Sequence, residues 1–117
     1  MKNYWELANE HEVPIHLDGA RIFNAATYLE VDVKKIAQYT DSVTFCLSKG
    51  LCAPVGAIVC GTQEFIKKAR FTRKLLGGRM KKAGVIAAPG IVALKTMVQR
   101  LKHDHDTARF LGEGISK

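Results

Sequence analysis

The sequence predicts an α/β fold of mostly parallel strands with flanking helices, and three observations carry that prediction. Short, almost wholly apolar segments recur at 13–18 (VPIHLD), 42–48 (SVTFCLS) and 54–61 (PVGAIVCG). Strands that are apolar on nearly every residue suit a sheet covered on both faces, where no solvent side imposes alternation. The first two are separated by a stretch of helix-forming composition from about Arg21 to Tyr39, the spacing of a βα crossover.

Taken in order, a short helix is expected from Tyr4 to Glu10, then the strand 13–18, the crossover helix and the strand 42–48. After the third strand, Thr62 opens an amphipathic helix whose apolar positions are Phe65, Ile66, Ala69 and Leu76, and the pair Gly77-Gly78 ends it. A last helix sets Ile91, Leu94, Val98 and Leu101 on one stripe, with Pro89 near its start.

With 47% hydrophobic and 25% charged residues, the 117-residue chain has the make-up of an ordinary globular domain with one core. No apolar run approaches the roughly 18 residues of a membrane span. The opening MKNYWELANEHE is acidic and polar where a signal peptide is basic and then apolar. A soluble, cytoplasmic chain is expected, or a mitochondrial one if a targeting segment precedes Met1. Cys46, Cys52 and Cys60 form no CxxC pair and are odd in number, which argues against a disulfide framework or a zinc site and for a reducing compartment. Two or three strands alone leave unpaired edges and a half-covered core, so residues 1–117 read as a single partial domain cut from a larger one.

Lys67, Lys68, Arg70, Arg73, Lys74, Arg79, Lys81 and Lys82 fall in one stretch without an acidic residue and contribute much of the +7 formal charge. That block invites a nucleic-acid reading. It holds one aromatic, Phe71, where single-strand binders interleave several as stacking platforms, so a solvated or anion-binding helix face is the better reading.

The chemistry concentrates at strand exits. In an open α/β sheet, ligands sit beyond the carboxyl ends of the strands. Asp18 leaves the first strand with Arg21 three residues on, and Lys49 leaves the second beside Ser48. An amine near apolar strands can serve as a Schiff-base nucleophile, and pyridoxal 5'-phosphate is the cofactor best served by such a lysine paired with a carboxylate at its ring nitrogen. Plain alternatives stand beside each residue. Asp18-Gly19 is a common strand-end turn, Lys49-Gly50 a common solvated loop, and His16 a common hydrogen-bonded structural histidine. Cys52 reads as small and buried. The run His103, Asp104, His105, Asp106 reads as a solvated helix rather than a metal site.

Three stretches in order, HLDGARIFNAA (16–26), CLSKGLCAPVG (46–56) and RKLLGGRMKKAGVIAAPG (73–90), resemble motifs of the threonine aldolase family, and the likeness runs from about Val13 to Leu101. That resemblance implies the central part of the large domain of an aspartate aminotransferase-like, fold type I pyridoxal phosphate enzyme, with the N-terminal part and the small C-terminal domain outside this chain. It implies Lys49 as the Schiff-base lysine, Asp18 as partner of the pyridine nitrogen, and Arg21 as a contact to the substrate carboxylate or the ring oxygen. Ser48 and Lys81 are implied as cofactor contacts. The implied reaction is retro-aldol cleavage of threonine or allo-threonine to glycine and acetaldehyde, in a homotetramer built as a dimer of dimers.

The sequence departs from the family pattern at four places. Cys52 and Arg79 stand where glycine is usual, Lys81-Lys82 replaces Arg-Gln, and Pro89 replaces alanine. Lys81 keeps a charge but loses the guanidinium fork, and arginine at 79 is costly if that position needs positive φ. Three readings therefore remain: a segment of an active aldolase, an inactive remnant or partial isoform, and a basic binding module. Within the first, a transaminase or hydroxymethyltransferase-like activity on the same fold is the near alternative.

Overall fold

Three strands form the centre of the chain in a computed structural model that describes residues 1–116. Their order is β1 (His16–Asp18), β2 (Ser42–Cys46), β3 (Ala57–Gly61). β1 runs parallel to β2, with His16 opposite Ser42 and Asp18 opposite Thr44. β3 runs antiparallel to β2, so this sheet is mixed. The reason is connection length. Parallel neighbours need a crossover of a dozen or more residues. Residues 19–41 provide one between β1 and β2, whereas only residues 47–56 join β2 to β3.

The strands are shorter than expected because flanking residues trade ladder bonds for local ones. Ile15 donates to the Asp41 carboxylate at 2.7 Å and accepts from the Asp41 amide at 3.0 Å, just before β1. The crossover is two helices, α2 (Ile22–Tyr28) and α3 (Val33–Ala37), rather than one. Glu30 breaks it with φ +53, and the Asp32 side chain caps α3 by accepting from Lys34 N–H at 2.8 Å. α1 (Lys2–Glu10) precedes β1 as expected.

α4 (Gln63–Leu75) matches its expected boundaries. Thr62 Oγ1 accepts from Phe65 N–H at 3.2 Å. At the other end Gly77, at φ +75, donates to Lys74, while Gly78 donates to the Arg73 carbonyl at 2.9 Å. That pair of bonds is a Schellman cap, which favours glycine in the left-handed conformation.

The expected last helix is instead two, α5 (Gly84–Thr96) and α6 (Leu101–Ile115), with Pro89 inside α5. The predicted stripe crosses the break. Leu94 and Val98 pack against the core and Leu101 is fully buried, but Ile91 is exposed and Ala93 takes its place inside.

The core comprises Leu47, Leu51, Ala53, Ala93 and Leu101, with Phe23 and Phe45 against it. Phe23 of α2 meets Phe45 of β2 edge to face at 5.3 Å, so the helical layer lies on the Leu17, Val43 and Phe45 side of the sheet. The residues of β3 are all exposed. Accessible surface totals 9200 Å². A compact protein of this mass exposes about 6,300 Å². The helical layer thus covers only part of the apolar surface this segment presents.

Candidate active site

Strand alternation puts His16 and Asp18 on the sheet face opposite the helical layer. The His16 ring spans two neighbours on β2: Nδ1 lies 2.9 Å from Ser42 Oγ and Nε2 lies 3.2 Å from Thr44 Oγ1. The plain reading of His16 as a hydrogen-bonded histidine holds, and the bonds fix the polar face from which Asp18 extends. Asp18 is exposed, and its Oδ1 accepts from Ala20 N–H at 3.1 Å. This is the strand-end turn expected of Asp-Gly, and it aligns the carboxylate rather than consuming it, because Oδ2 carries no bond among the described residues.

The ladder continues past Asp18. Gly19 N–H donates to the Thr44 carbonyl at 2.7 Å, and Cys46 N–H donates to the Ala20 carbonyl at 3.3 Å. A side chain on Gly19 would stand 3.0 Å from Val43 Cγ2, so the closeness of the two strand exits depends on glycine there. The chain then leaves β2 into the turn bearing Ser48 and Lys49.

That turn is tied down by its backbone. Leu47 N–H donates to Gly56, Cys52 N–H to Lys49 and Ala53 N–H to Leu47, each at 2.9 Å. Leu47 and Leu51 are buried on either side of Lys49, whereas Ser48 and Lys49 are exposed. The apolar strand therefore ends in a turn pinned through its leucines, with the amine held out between them. No ion pair engages Lys49 or Arg21 among the described residues. Arg21 stands at the N-terminal boundary of α2. It shares with Asp18 a groove of about 260 Å³ whose apolar side is Leu17, Ile22 and Ile36.

The parallel pair thus brings the exits carrying Asp18 and Lys49 side by side, with Arg21 following Asp18 and Ser48 preceding Lys49. Lys81 lies exposed in the turn between α4 and α5 and makes no hydrogen bond or ion pair with Asp18 or Lys49 among the described residues. A larger groove of about 680 Å³ runs along α4 between Phe65, Ala69 and Leu76. Lys68, Thr72 and Arg73 also line it, but no carboxylate does, so it lacks the amine and carboxylate pairing of the strand exits.

Two expectations about substituted glycines change. Cys52 is exposed rather than buried, and its φ is +58, so this position of the lysine turn does favour glycine. Arg79 does not have positive φ, whereas Lys82 does, at +56. Asn24, an amide within the apolar run of RIFNAA, is a residue that motif reading passes over. Its Nδ2 is 3.3 Å from His105 Nε2, and its Oδ1 lies 2.9 Å from where a Cβ on Gly50 would sit. A polar residue in the middle of an apolar helical stretch was the available signal.

The donor set suits pyridoxal phosphate: an amine without a partner, a carboxylate with an open oxygen, a guanidinium and a hydroxyl, all at neighbouring strand exits. Comparison with known proteins agrees with this reading of the fold. A solved structure from Listeria monocytogenes superposes with TM-score 0.90 at 22% identity, over 96% of this chain and 31% of that one. The low-specificity L-threonine aldolase 1 of Arabidopsis thaliana is 49% identical over 96% of this chain and 31% of its own length. The low specificity L-threonine aldolase of Escherichia coli K12 is 48% identical over 98% of this chain and 34% of its own. The chain spans about a third of the length of these curated relatives. The sequence model for beta-eliminating lyases matches residues 1–117 throughout, and the chain belongs to that family.

Proposed function

We propose that this chain carries the lysine, the aspartate and the arginine of a pyridoxal phosphate-dependent aldehyde lyase that cleaves L-threonine or L-allo-threonine to glycine and acetaldehyde. The observation that supports this reading most is the parallel register of His16–Asp18 on Ser42–Thr44, which sets the exits toward Asp18 and Lys49 on neighbouring strands. The names of the two aldolase relatives point to L-threonine.

When bound, pyridoxal phosphate supplies an electron sink for the pair released as the α–β carbon bond breaks. Lys49 would supply the amine that holds the cofactor. Asp18 keeps a proton on the ring nitrogen, without which the ring is a poorer sink. Arg21 offers a planar fork to the substrate carboxylate and so orients the bond to be broken. Ser48 and Lys81 are the donors assigned to the phosphate, Lys81 as a point charge. A homotetramer of the whole enzyme belongs to the same proposal.

Titration of the chain with pyridoxal phosphate tests it. In a protein of the relatives' full length the wild type is expected to gain a visible absorbance band that Lys49→Ala abolishes, and to release glycine and acetaldehyde from threonine; a band present there and absent from residues 1–117 alone supports the reading of this chain as a segment. A band that survives in Lys49→Ala refutes the assignment of the lysine. An inactive counterpart is a second reading, favoured by the positive φ of Cys52 within the lysine turn. It predicts the band without product.

A further inference from the structure

We infer that Asn24 is a positioning residue for Lys49: a brace between α2, α6 and the lysine turn that helps fix how far the amine stands from Asp18. This rests on the reading of Lys49 and Asp18 given above. Chain connection, one side-chain contact and one close approach together place this amide. First, α2 begins at Ile22, directly after the Asp18–Arg21 stretch, so Asn24 moves with the exit of β1. Second, its Nδ2 faces His105 Nε2 of α6 at 3.3 Å, across 81 residues of sequence. Third, Asn24 closes off the space beside Gly50. A Cβ built on Gly50 would lie 2.9 Å from Asn24 Oδ1 and 2.9 Å from Leu101 Cδ2.

Both of those atoms end side chains, yet neither is free to swing away. Leu101 is fully buried, and Asn24 is half-buried and bonded to His105. The His105 ring is in turn held edge to face against Tyr28 of α2 at 6.4 Å. Gly50 is the residue after Lys49, so a shift of the amide is transmitted to the lysine through a single peptide unit. The strand ladder fixes the two exits only as far as Cys46, which bonds to Ala20. Beyond that point the crossover helix reaches the lysine turn through Phe23, which packs against the core cluster holding Leu47 and Leu51, and through Asn24, the polar residue beside Gly50. An ordinary interhelical hydrogen bond would support the fold without distinguishing this turn, and the two roles separate experimentally.

The test is hydrogen exchange on the full chain, with and without pyridoxal phosphate. The amides to follow are Cys52 and Ala53, which close the turn by bonding to Lys49 and Leu47 at 2.9 Å each. In Asn24→Ala both are expected to exchange roughly fivefold to tenfold faster, the factor for one lost hydrogen bond, while the amides of β2 keep their rates. Affinity for the cofactor, read from the Lys49-dependent band, falls by a similar factor. Gly50→Ala displaces the turn from the other side and reproduces both effects. His105→Gln keeps a polar partner for Asn24 and stays nearer the wild type than His105→Ala. Unchanged Cys52 and Ala53 rates in Asn24→Ala, or acceleration spread equally over β2, overturn the inference. A wild-type protein of the relatives' full length without the band refutes the reading of Lys49 instead, and the exchange rates still decide whether Asn24 holds the turn.

Discussion

Replacing Cys52 with glycine is expected to stabilise the chain, although it deletes a side chain. The backbone there has φ +58, three residues after Lys49. An L-residue in that region costs about 1–2 kcal/mol through the crowding of Cβ against the following carbonyl. Glycine removes the crowding but adds about 0.5–1 kcal/mol of freedom to the unfolded chain. What the sulfur contributes is small: Sγ lies 3.5 Å from the Gly50 carbonyl and 4.0 Å from Arg100 Nη1, both long and exposed. The difference spans about 0–1.5 kcal/mol and centres on about 0.75 kcal/mol, worth a rise in melting temperature of roughly 2–6 °C for a chain of this size. The control is Cys52→Ala, which loses the sulfur and keeps Cβ, so that any difference between the two variants reports the backbone alone. Thermal unfolding followed by circular dichroism measures both. If Cys52→Gly melts no higher than Cys52→Ala, the strain argument is wrong, and with it the view that this turn favours glycine.

Three further predictions concern the rest of the fold. Leu101→Ala empties the one fully buried large side chain among the described residues, and a loss of about 2–5 kcal/mol is expected from the urea midpoint; a shift under 1 kcal/mol refutes its place at the core. Thr62→Ala removes the acceptor for Phe65 N–H and lowers stability by about 1 kcal/mol, which Thr62→Ser restores in the same melt. Glu64 and Lys68 are 2.8 Å apart, and the hydrogen bond to Lys68, aided by its charge, holds the Glu64 carboxyl below its ordinary range. The contribution of Glu64 is present above that range and fades as pH falls through the depressed value. Because both groups are fully exposed, Glu64→Gln is expected to leave the melting temperature at neutral pH and moderate salt unchanged within error; a clear drop contradicts this.

The order of elements is legible in the sequence because apolar runs and caps are local properties. Thr62 and Gly77-Gly78 bound α4 where they should, since each acts through bonds no longer than one helical turn. What local pattern misses is where a helix breaks under tertiary packing. Residues 84–115 keep helical periodicity across 97–100, so Ile91 and Leu101 look alike in sequence although one is exposed and the other is the most buried residue of the core. The crossover likewise divides at Glu30, whose positive φ has no glycine to announce it. For the site, residue types and order locate Asp18, Arg21, Ser48 and Lys49 at strand exits. The contact of Asn24 with both Gly50 and His105 spans too much sequence for any spacing rule to reveal.

The antiparallel return of β3, which apolar patterning alone does not anticipate, explains how so exposed a lysine can be held at all. A parallel third strand would have required a long crossover after Cys46, and Lys49 would then ride on a loop tied at one end. The ten residues from 47 to 56 instead fold straight back, so the Gly56 carbonyl meets the Leu47 amide and closes the base of the turn. Gly56 does this at φ +121, a conformation essentially confined to glycine. Buried Leu47 and Leu51 then fasten the turn to the helical layer, and Asn24 leaves no room for a side chain at Gly50. Lys49 is therefore on a turn constrained at its base by Gly56 and on its flanks by Leu47 and Leu51. This is why a single apolar strand ends so abruptly in Ser-Lys-Gly.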